Sequence, residues 1–283
     1  MLIIVAVVLI RYVFRDEVAN FANKLQGDVY VETLQSANPY QADTVSYALE
    51  LSAPLEKSME IRNYFRLDSL IQGCSSVWEK AISVAQVAAT IKHNNSDPLP
   101  TKYNAIDLWE WAKEHPDGFN CRHHSILLHE LLLAVGIENR VITCSPKDTA
   151  DTDCHVVNAV WLADKEKWVM IDSDKHAYAS DENGEILSLQ EMRNKIINGE
   201  SIIFNSFTKD PIPSQTRLYF YWAKNLYYLD AVEKQTYAVE NSGTFRKIYL
   251  VPDYNNLPKY FIPERDVLTT DVERFWEKPA IAE

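Results

Sequence analysis

The sequence predicts an α+β fold in which helices come first and an antiparallel sheet follows. One observation is a stretch from Cys121 to Val135 whose apolar residues fall at every helical offset. The other is a pair of strand patterns, His155 to Leu162 and Trp168 to Asp172, joined by a short polar segment. At 283 residues and 47% hydrophobic content, the chain can bury the core of one large domain or two modest ones.

Helical spacing dominates the part of the chain before Cys121. Apolar residues recur at helical intervals from Leu55 to Ile71, from Val77 to Ile91 and from Ala105 to Glu114. Thr44 to Leu51 is also interpreted as a short helix with one polar face. These patterns predict a helical N-terminal third.

Charge and cysteine content exclude several classes of protein. Forty acidic residues against 28 basic ones give a net charge of −12, and no cluster of lysine and arginine forms a phosphate-binding stripe. Nucleic acid is therefore not an expected partner. Four cysteines are too few for a disulfide-framed scaffold of this size, although one bridge between the later ones is compatible with an oxidising compartment.

The first residues form an apolar run that points to a membrane. Residues 1–14 contain a single charged residue, Arg11. As a helix they would reach about 21 Å, short of the roughly 30 Å hydrocarbon core, which favours a truncated signal segment or anchor. A buried first strand or helix is the alternative. The expected location is membrane-anchored or in the cell envelope, with the cytoplasm as the alternative.

Cys121 lies at the expected start of the apolar helix. Asn120 is a good N-cap residue, and Gly136 is a suitable stop just beyond the last turn. The free amide groups and the positive dipole end at this position favour a thiolate. The alternative is a small buried core residue, because free cysteine is among the most buried residue types.

The two strand patterns bring a histidine and an aspartate together. If Ala163 and Asp164 centre the turn, His155 lies directly opposite Asp172 on the same face of a hairpin. An imidazole needs such a carboxylate to hold its tautomer. Cys121, His155 and Asp172 are therefore the candidate nucleophile, base and orienting acid, although a slip of one residue would separate the last two.

Other residue types compete for these roles. Asp174 is a substitute acid, and His124 is placed to line the same cleft, while His123 and His129 are expected to pack or lie at the surface. Zinc is disfavoured because two of its four candidate ligands are adjacent in a strand and point to opposite faces; the four are Cys121, His124, Cys154 and His155. No loop dense in oxygen ligands supports calcium.

The ordered motifs resemble the transglutaminase-like cysteine enzyme superfamily, which has a papain-like core. The matching segments, within about 55 residues, are Gly118-Phe119-Asn120-Cys121, Gly136-Ile137-Glu138-Asn139-Arg140-Val141, His155 and Trp168-Val169-Met170-Ile171-Asp172. The resemblance covers roughly Val77 to Tyr178. It implies an antiparallel sheet packed on the nucleophile helix. It also implies that Cys121 is the nucleophile, His155 the base and then acid, and Asp172 the residue that holds the imidazole.

This resemblance implies a cysteine acyltransferase or peptidase that acts on amide bonds of a peptide or protein and needs no cofactor. Hydrolysis, deamidation and amine cross-linking use the same residues and stay open. The alternative is an inactive binding or scaffold module with the same fold. Val157 and Ala159 stand where family members often carry an aromatic and an acidic residue, which points to an altered substrate groove.

Four segments are expected along the chain. They are an apolar anchor or signal segment (1–15), a helical N-terminal extension (16–76), a catalytic core (77–200) and a C-terminal extension packed on the core (201–283). The extension contains the aromatic stretch Leu218-Tyr219-Phe220-Tyr221-Trp222, interpreted as a packing element in preference to a ligand platform. Oligomeric state is left open.

Overall fold

The computed structural model describes residues 24–281 as a mixture of helices packed on sheets, which confirms the α+β prediction. The helices are α1 (24–35), α2 (Leu55–Tyr64), α3 (Leu67–Ile71), α4 (Val77–Ala88), α5 (Ala105–Glu114), α6 (Cys121–Ala134), α7 (Leu189–Asn198), α8 (Gln215–Asn225) and α9 (Val272–Phe275). The strands are β1 (Glu50–Leu51), β2 (Asn139–Ser145), β3 (His155–Leu162), β4 (Lys167–Ile171), β5 (Ala177–Ser180), β6 (Ile203–Ser206), β7 (Tyr228–Val232), β8 (Lys234–Gln235), β9 (Lys247–Leu250), β10 (Val267–Thr269) and β11 (Ala280–Ile281).

A six-stranded sheet forms the centre of the fold. Its strand order is β10-β9-β7-β2-β3-β4, and every neighbouring pair is antiparallel except β9 with β10. Three of the six strands, β7, β9 and β10, come from beyond residue 200. The C-terminal segment 201–283 therefore completes the sheet as well as packing against it.

Both faces of this sheet are covered, because alternate residues of β3 and β4 enter two different hydrophobic clusters. Val160, Leu162, Val169 and Ile171 pack with helices α2 to α6. Residues of the opposite parity, including Val157, Ala159 and Met170, pack with α7, α8 and residues near α1. Val157 and Ala159 are thus core residues beneath α8, so the expectation that they alter a substrate groove is wrong.

The hairpin of β3 and β4 has a different register from the predicted one. Leu162 pairs with Lys167 and Asn158 with Ile171, so the turn holds four residues, 163–166, instead of two at its centre. Glu166 takes a left-handed conformation with φ 50° at the end of this longer turn. The pairing moves by two residues, which preserves the face of each side chain but removes Asp172 from the position opposite His155.

The helices before Cys121 largely follow the predicted pattern. Leu55 to Ile71 divides into α2 and α3 at Arg66, which has a left-handed φ of 53°. The helix predicted at Thr44 to Leu51 is wrong: residues 44–49 have no regular structure, and β1 pairs in parallel with β8 and β11. The conformation of this segment depends on strand partners far along the chain, which the local spacing of residues does not reveal.

The apolar run at residues 1–14 lies outside the described residues. Among residues 24–281, none of the helices combines the length and the apolar character needed to cross a membrane. The expectation of a membrane tether rests on the sequence of residues 1–14 alone.

Candidate active site

Cys121 is the first residue of α6, as predicted. The Asn120 side-chain oxygen accepts hydrogen bonds from the backbone N–H groups of Arg122 and His123, which caps the helix. Gly136 follows the C-terminal end with φ +73°. The amide and the side chain of Cys121 therefore lie at the positive end of a helix of 14 residues.

The turn before Cys121 requires a glycine. Gly118 has φ +82°, and a Cβ atom there would lie 1.9 Å from the carbonyl oxygen of Lys92. The segment around Lys92 is bonded to this turn, because Phe119 N–H donates to the Lys92 carbonyl at 3.1 Å and Asn94 N–H donates to the Phe119 carbonyl at 2.9 Å. A loop distant in sequence is thereby fixed beside Cys121.

His155 and Asp172 form a buried pair. His155 Nε2 and Asp172 Oδ2 are 2.6 Å apart, and the two side chains are 1% and 2% exposed. Asp172 follows the last residue of β4, and its other oxygen, Oδ1, accepts from the backbone N–H groups of Asp174 at 3.1 Å and Lys175 at 2.9 Å. Asp172 also forms an antiparallel bridge with Ala177, so the turn that this bridge closes, and not the pairing of β3 with β4, aims the carboxylate at the imidazole.

The surroundings of His155 favour its charged form. Burial is the largest single influence and lowers the pKa, but the charge and hydrogen bond of Asp172, together with Cys121, raise the pKa of His155 well above its usual value. Because Asp172 occupies Nε2, Nδ1 is the ring nitrogen left for the Cys121 thiol. Tyr221 and Trp222 of α8 pack edge-on against the ring at 5.4 and 5.5 Å.

Cys121 and His155 open onto one cleft of about 710 Å³. Its walls come from the loop after α4, the start of α6, the segment leading into β3, and α8 with the residues before it. The lining residues are His93, Asn95, Asn120, Cys121, Arg122, Thr152, Asp153, Cys154, His155, Val156, Lys175, Pro213, Arg217, Leu218 and Tyr221. The cleft is large enough for a segment of extended peptide.

Asp174 contacts a second histidine, His93. His93 Nδ1 lies 2.6 Å from Asp174 Oδ1, and the ammonium group of Lys175 lies 2.8 Å from Oδ2. Burial acts to raise the pKa of Asp174, but the hydrogen bond from His93 and the charge of Lys175 outweigh it and lower that pKa strongly. Asp172 and Asp174, two residues apart, therefore contact two different histidines at the cleft.

The remaining histidine candidates lie away from the cleft. His123, His124 and His129 are buried in α6, and burial lowers the pKa of each to about 4. His124 was expected to line the cleft, but it is fully buried beside Asp174 at 3.6 Å. Each of the three thus favours a neutral, packed imidazole.

All four cysteines are free. Cys154 lines the same cleft as Cys121, but burial and then the proximity of Cys121 raise the pKa of its thiol. Cys144 is fully buried, and its pKa is raised well above the usual value by burial. Two cysteines of the same cleft thus differ in setting: Cys121 at a helix start beside His155, and Cys154 in a loop.

The amide N–H of Cys121 is available to stabilise a negative oxygen. It has no hydrogen-bond acceptor within residues 24–281, whereas the oxygen of the Asn120 side chain is used by the cap. A free N–H at a helix start is a suitable donor to the oxyanion of a tetrahedral intermediate.

One group of side chains has the spacing of metal ligands. Atoms of His155, Asp172 and Asp174 all lie within 4.8 Å of one another. These atoms already bind one another or His93, and the Lys175 ammonium lies 2.8 Å from Asp174. A fixed positive charge at this distance opposes a metal cation, so the donor set does not fit one.

Several residues of the cleft were not singled out from the sequence. His93, Lys175 and Arg217 carry no spacing signal, because the loops and α8 that present them meet Cys121 only in the folded chain. The aromatic stretch gave a partial signal: Leu218 and Trp222 are buried as predicted for packing, while Tyr221 also lines the cleft.

Comparisons with known proteins find one matching family model and one distantly similar structure. The core model of the transglutaminase-like superfamily matches residues 65–173, and no curated protein matches the sequence. A solved structure from Cytophaga hutchinsonii, named "Putative Cysteine Protease", is similar at 14% identity and a TM-score of 0.34. The similarity covers 55% of this chain and 54% of that one, so the match spans about half the length of that structure.

Proposed function

Because residues 65–173 form a transglutaminase-like superfamily domain, we propose that this chain is a cysteine enzyme that transfers or hydrolyses acyl groups at amide bonds. Cys121 is the nucleophile, His155 the general base and acid, and Asp172 the residue that orients His155. The substrate is an amide of a peptide or protein. The observation that carries the proposal is the buried 2.6 Å contact of Asp172 with a histidine that shares its cleft with Cys121 at a helix start.

The chemistry follows from these positions. The Cys121 thiolate attacks the amide carbonyl carbon, and the negative oxygen that forms accepts a hydrogen bond from the Cys121 N–H. The C–N bond breaks as the His155 imidazolium gives its proton to the leaving nitrogen, which leaves an acyl thioester. Water or an amine then attacks the thioester while His155 accepts its proton, and the C–S bond breaks to regenerate the thiolate.

Asp172 keeps the imidazole in position throughout this cycle. Its Oδ2 accepts from Nε2, so Nδ1 faces the thiol and the leaving group, and the carboxylate stabilises the imidazolium that the cycle requires. Two backbone N–H groups fix its other oxygen, which limits rotation of the carboxylate. The charged form of His155 is therefore favoured beside the Cys121 thiol.

A peptide digest offered with a primary alkylamine in isotopically heavy water tests the proposal. Mass spectrometry separates the three products: new peptide termini from hydrolysis, labelled glutamate from deamidation, and amine adducts from cross-linking. We expect one of them to form with the wild-type chain and with Cys154→Ser, and to be lost with Cys121→Ser and His155→Ala. Equal product from the wild type and Cys121→Ser would refute the proposal and favour the binding module.

A further inference from the structure

The cleft is basic although the chain is strongly acidic. His93, Arg122, Lys175 and Arg217 line it, against a single carboxylate, that of Asp153. The whole chain has a net charge of −12. A basic cleft in such a chain attracts an anionic group to one place while the rest of the surface repels it.

The one carboxylate of the cleft is partly offset by a lysine. Lys224 lies 2.7 Å from Asp153 and 3.0 Å from Asp151, so its positive charge is shared between the two carboxylates. Two of the basic groups are also anchored by acids, Arg122 by Glu240 at 2.8 Å and Lys175 by Asp174 at 2.8 Å. These pairs fix the positions of their groups and reduce their net charge.

Arg217 differs from the other basic residues of the cleft. It lies in the first turn of α8, its side chain is exposed, and it has no carboxylate partner within residues 24–281. The same helix presents Tyr221 to the cleft one turn later, where that ring packs against His155. A ligand that binds Arg217 is therefore held by α8, the same helix whose Tyr221 contacts His155, the proposed base.

From this arrangement, and resting on the function proposed above, we infer that the cleft selects a peptide substrate with a carboxylate side chain close to the reacting amide. Arg217 binds that carboxylate, since its planar guanidinium can donate two hydrogen bonds to it. Arg122 and Lys175 line the same cleft, but Glu240 and Asp174 offset much of their charge, so Arg217 is the principal anchor for the carboxylate. Arg217 is a specificity-determining residue and takes no part in bond breaking.

Two alkylating reagents test the inference without knowledge of the natural substrate. Iodoacetamide and iodoacetate form the same S–CH₂ bond with the thiolate and release the same iodide, and they differ in one negative charge. The quantity measured is the ratio of their rate constants at Cys121, iodoacetate over iodoacetamide, by peptide mass mapping. For an arginine that the inference places several ångströms from the reagent, removal of its charge changes such a ratio about three- to sevenfold in a partly hydrated cleft.

We expect Arg217→Gln to lower this ratio by about that factor, Arg217→Glu to lower it further, and Arg217→Lys to restore most of it. The ratio cancels any effect of these variants on the sulfur itself, because both reagents react with the same thiolate. Modification of Cys121 by iodoacetamide that stays faster than that of Cys74 reports an intact fold. Added salt reduces the ratio of the wild type toward that of Arg217→Gln. Arg62→Gln, which removes an arginine of α2 that does not line the cleft, is the matched control and leaves the ratio unchanged.

Two outcomes overturn the inference in distinguishable ways. If Arg217→Gln and Arg62→Gln have the same ratio while iodoacetamide still modifies Cys121 selectively, the nucleophile stands and the carboxylate site is wrong. If iodoacetamide modifies Cys121 no faster than Cys74, which does not line the cleft, the proposed function fails and the inference fails with it.

Discussion

Replacing Asp172 by asparagine removes the charge of the proposed orienting residue and keeps its size. The amide retains an oxygen for the backbone N–H groups of Asp174 and Lys175, so the turn after β4 is preserved. The amide nitrogen then faces His155 Nε2 in place of the carboxylate oxygen, and because an NH₂ group only donates, it can bond only a neutral ring whose proton lies on Nδ1. The variant therefore removes both the charge and the acceptor that hold a proton on Nε2.

The size of the effect follows from the burial of the pair. A hydrogen bond to a charged group contributes about 1.5–3 kcal/mol, and this one is almost fully shielded from water. Each ~1.4 kcal/mol is a factor of ten, so the ratio of charged to neutral His155 falls about 10- to 150-fold. The pKa of His155, now raised well above its usual value, falls as burial outweighs the remaining hydrogen bonds.

The assay is the second-order rate constant of Cys121 with iodoacetamide at neutral pH, measured by peptide mass mapping. Asp174→Asn is the matched control, because it weakens the contact with His93 and leaves the 2.6 Å pair of His155 and Asp172 in place. We expect Asp172→Asn to lose at least tenfold in rate and Asp174→Asn to stay closer to the wild type. An equal or larger loss in Asp174→Asn would refute the assignment of the orienting role.

Three further predictions concern stability. Gly118→Ala places an alanine in a left-handed conformation and brings its Cβ atom against the Lys92 carbonyl. Gly136→Ala has the same backbone strain of about 1–2 kcal/mol but no atom near the new Cβ, so we expect Gly118→Ala to lower the melting temperature more. Equal losses would contradict the close approach at Gly118. Arg140→Met leaves two carbonyls of the C-terminal segment without their donor and lowers the free energy of unfolding by about 2–6 kcal/mol in urea titrations; an unchanged midpoint would show that this anchor is unimportant. Because the folded pKa of His155 is raised, its contribution to stability is complete below its unfolded pKa of about 6.5 and is lost as pH rises through the folded value. The difference in unfolding free energy between the wild type and His155→Gln should therefore shrink as pH rises. A difference that grows with pH would contradict this prediction.

Local sequence signals predicted the helix that carries Cys121. The Asn120 cap, the apolar positions and Gly136 all act within one helix, and α6 begins and ends where they place it. The hairpin was predicted less well, because its register depends on how many residues form the turn. Nothing local marks Glu166 as left-handed, and the register moved by two residues. Since side chains alternate with a period of two, that shift left His155 and Asp172 on the same face.

Long-range contacts account for what the sequence did not reveal. Asp172 and Asp174 are equivalent as residue types, and only the fold places one at His155 and the other at His93. The wall of the cleft that contains Arg217 comes from a helix almost 100 positions after Cys121. Contacts of this kind depend on the packing of complete elements, which spacing along the chain does not encode.

Competition among the cysteines of one molecule tests the central claim most directly. A limiting amount of iodoacetamide at neutral pH, followed by peptide mapping, compares Cys121 with Cys154 in the same cleft and with Cys74 outside it. The proposed triad predicts that Cys121 reacts first in the wild type and loses that advantage in His155→Ala. Modification of Cys154 or Cys74 at the same rate as Cys121, or a Cys121 rate that does not depend on His155, would contradict it.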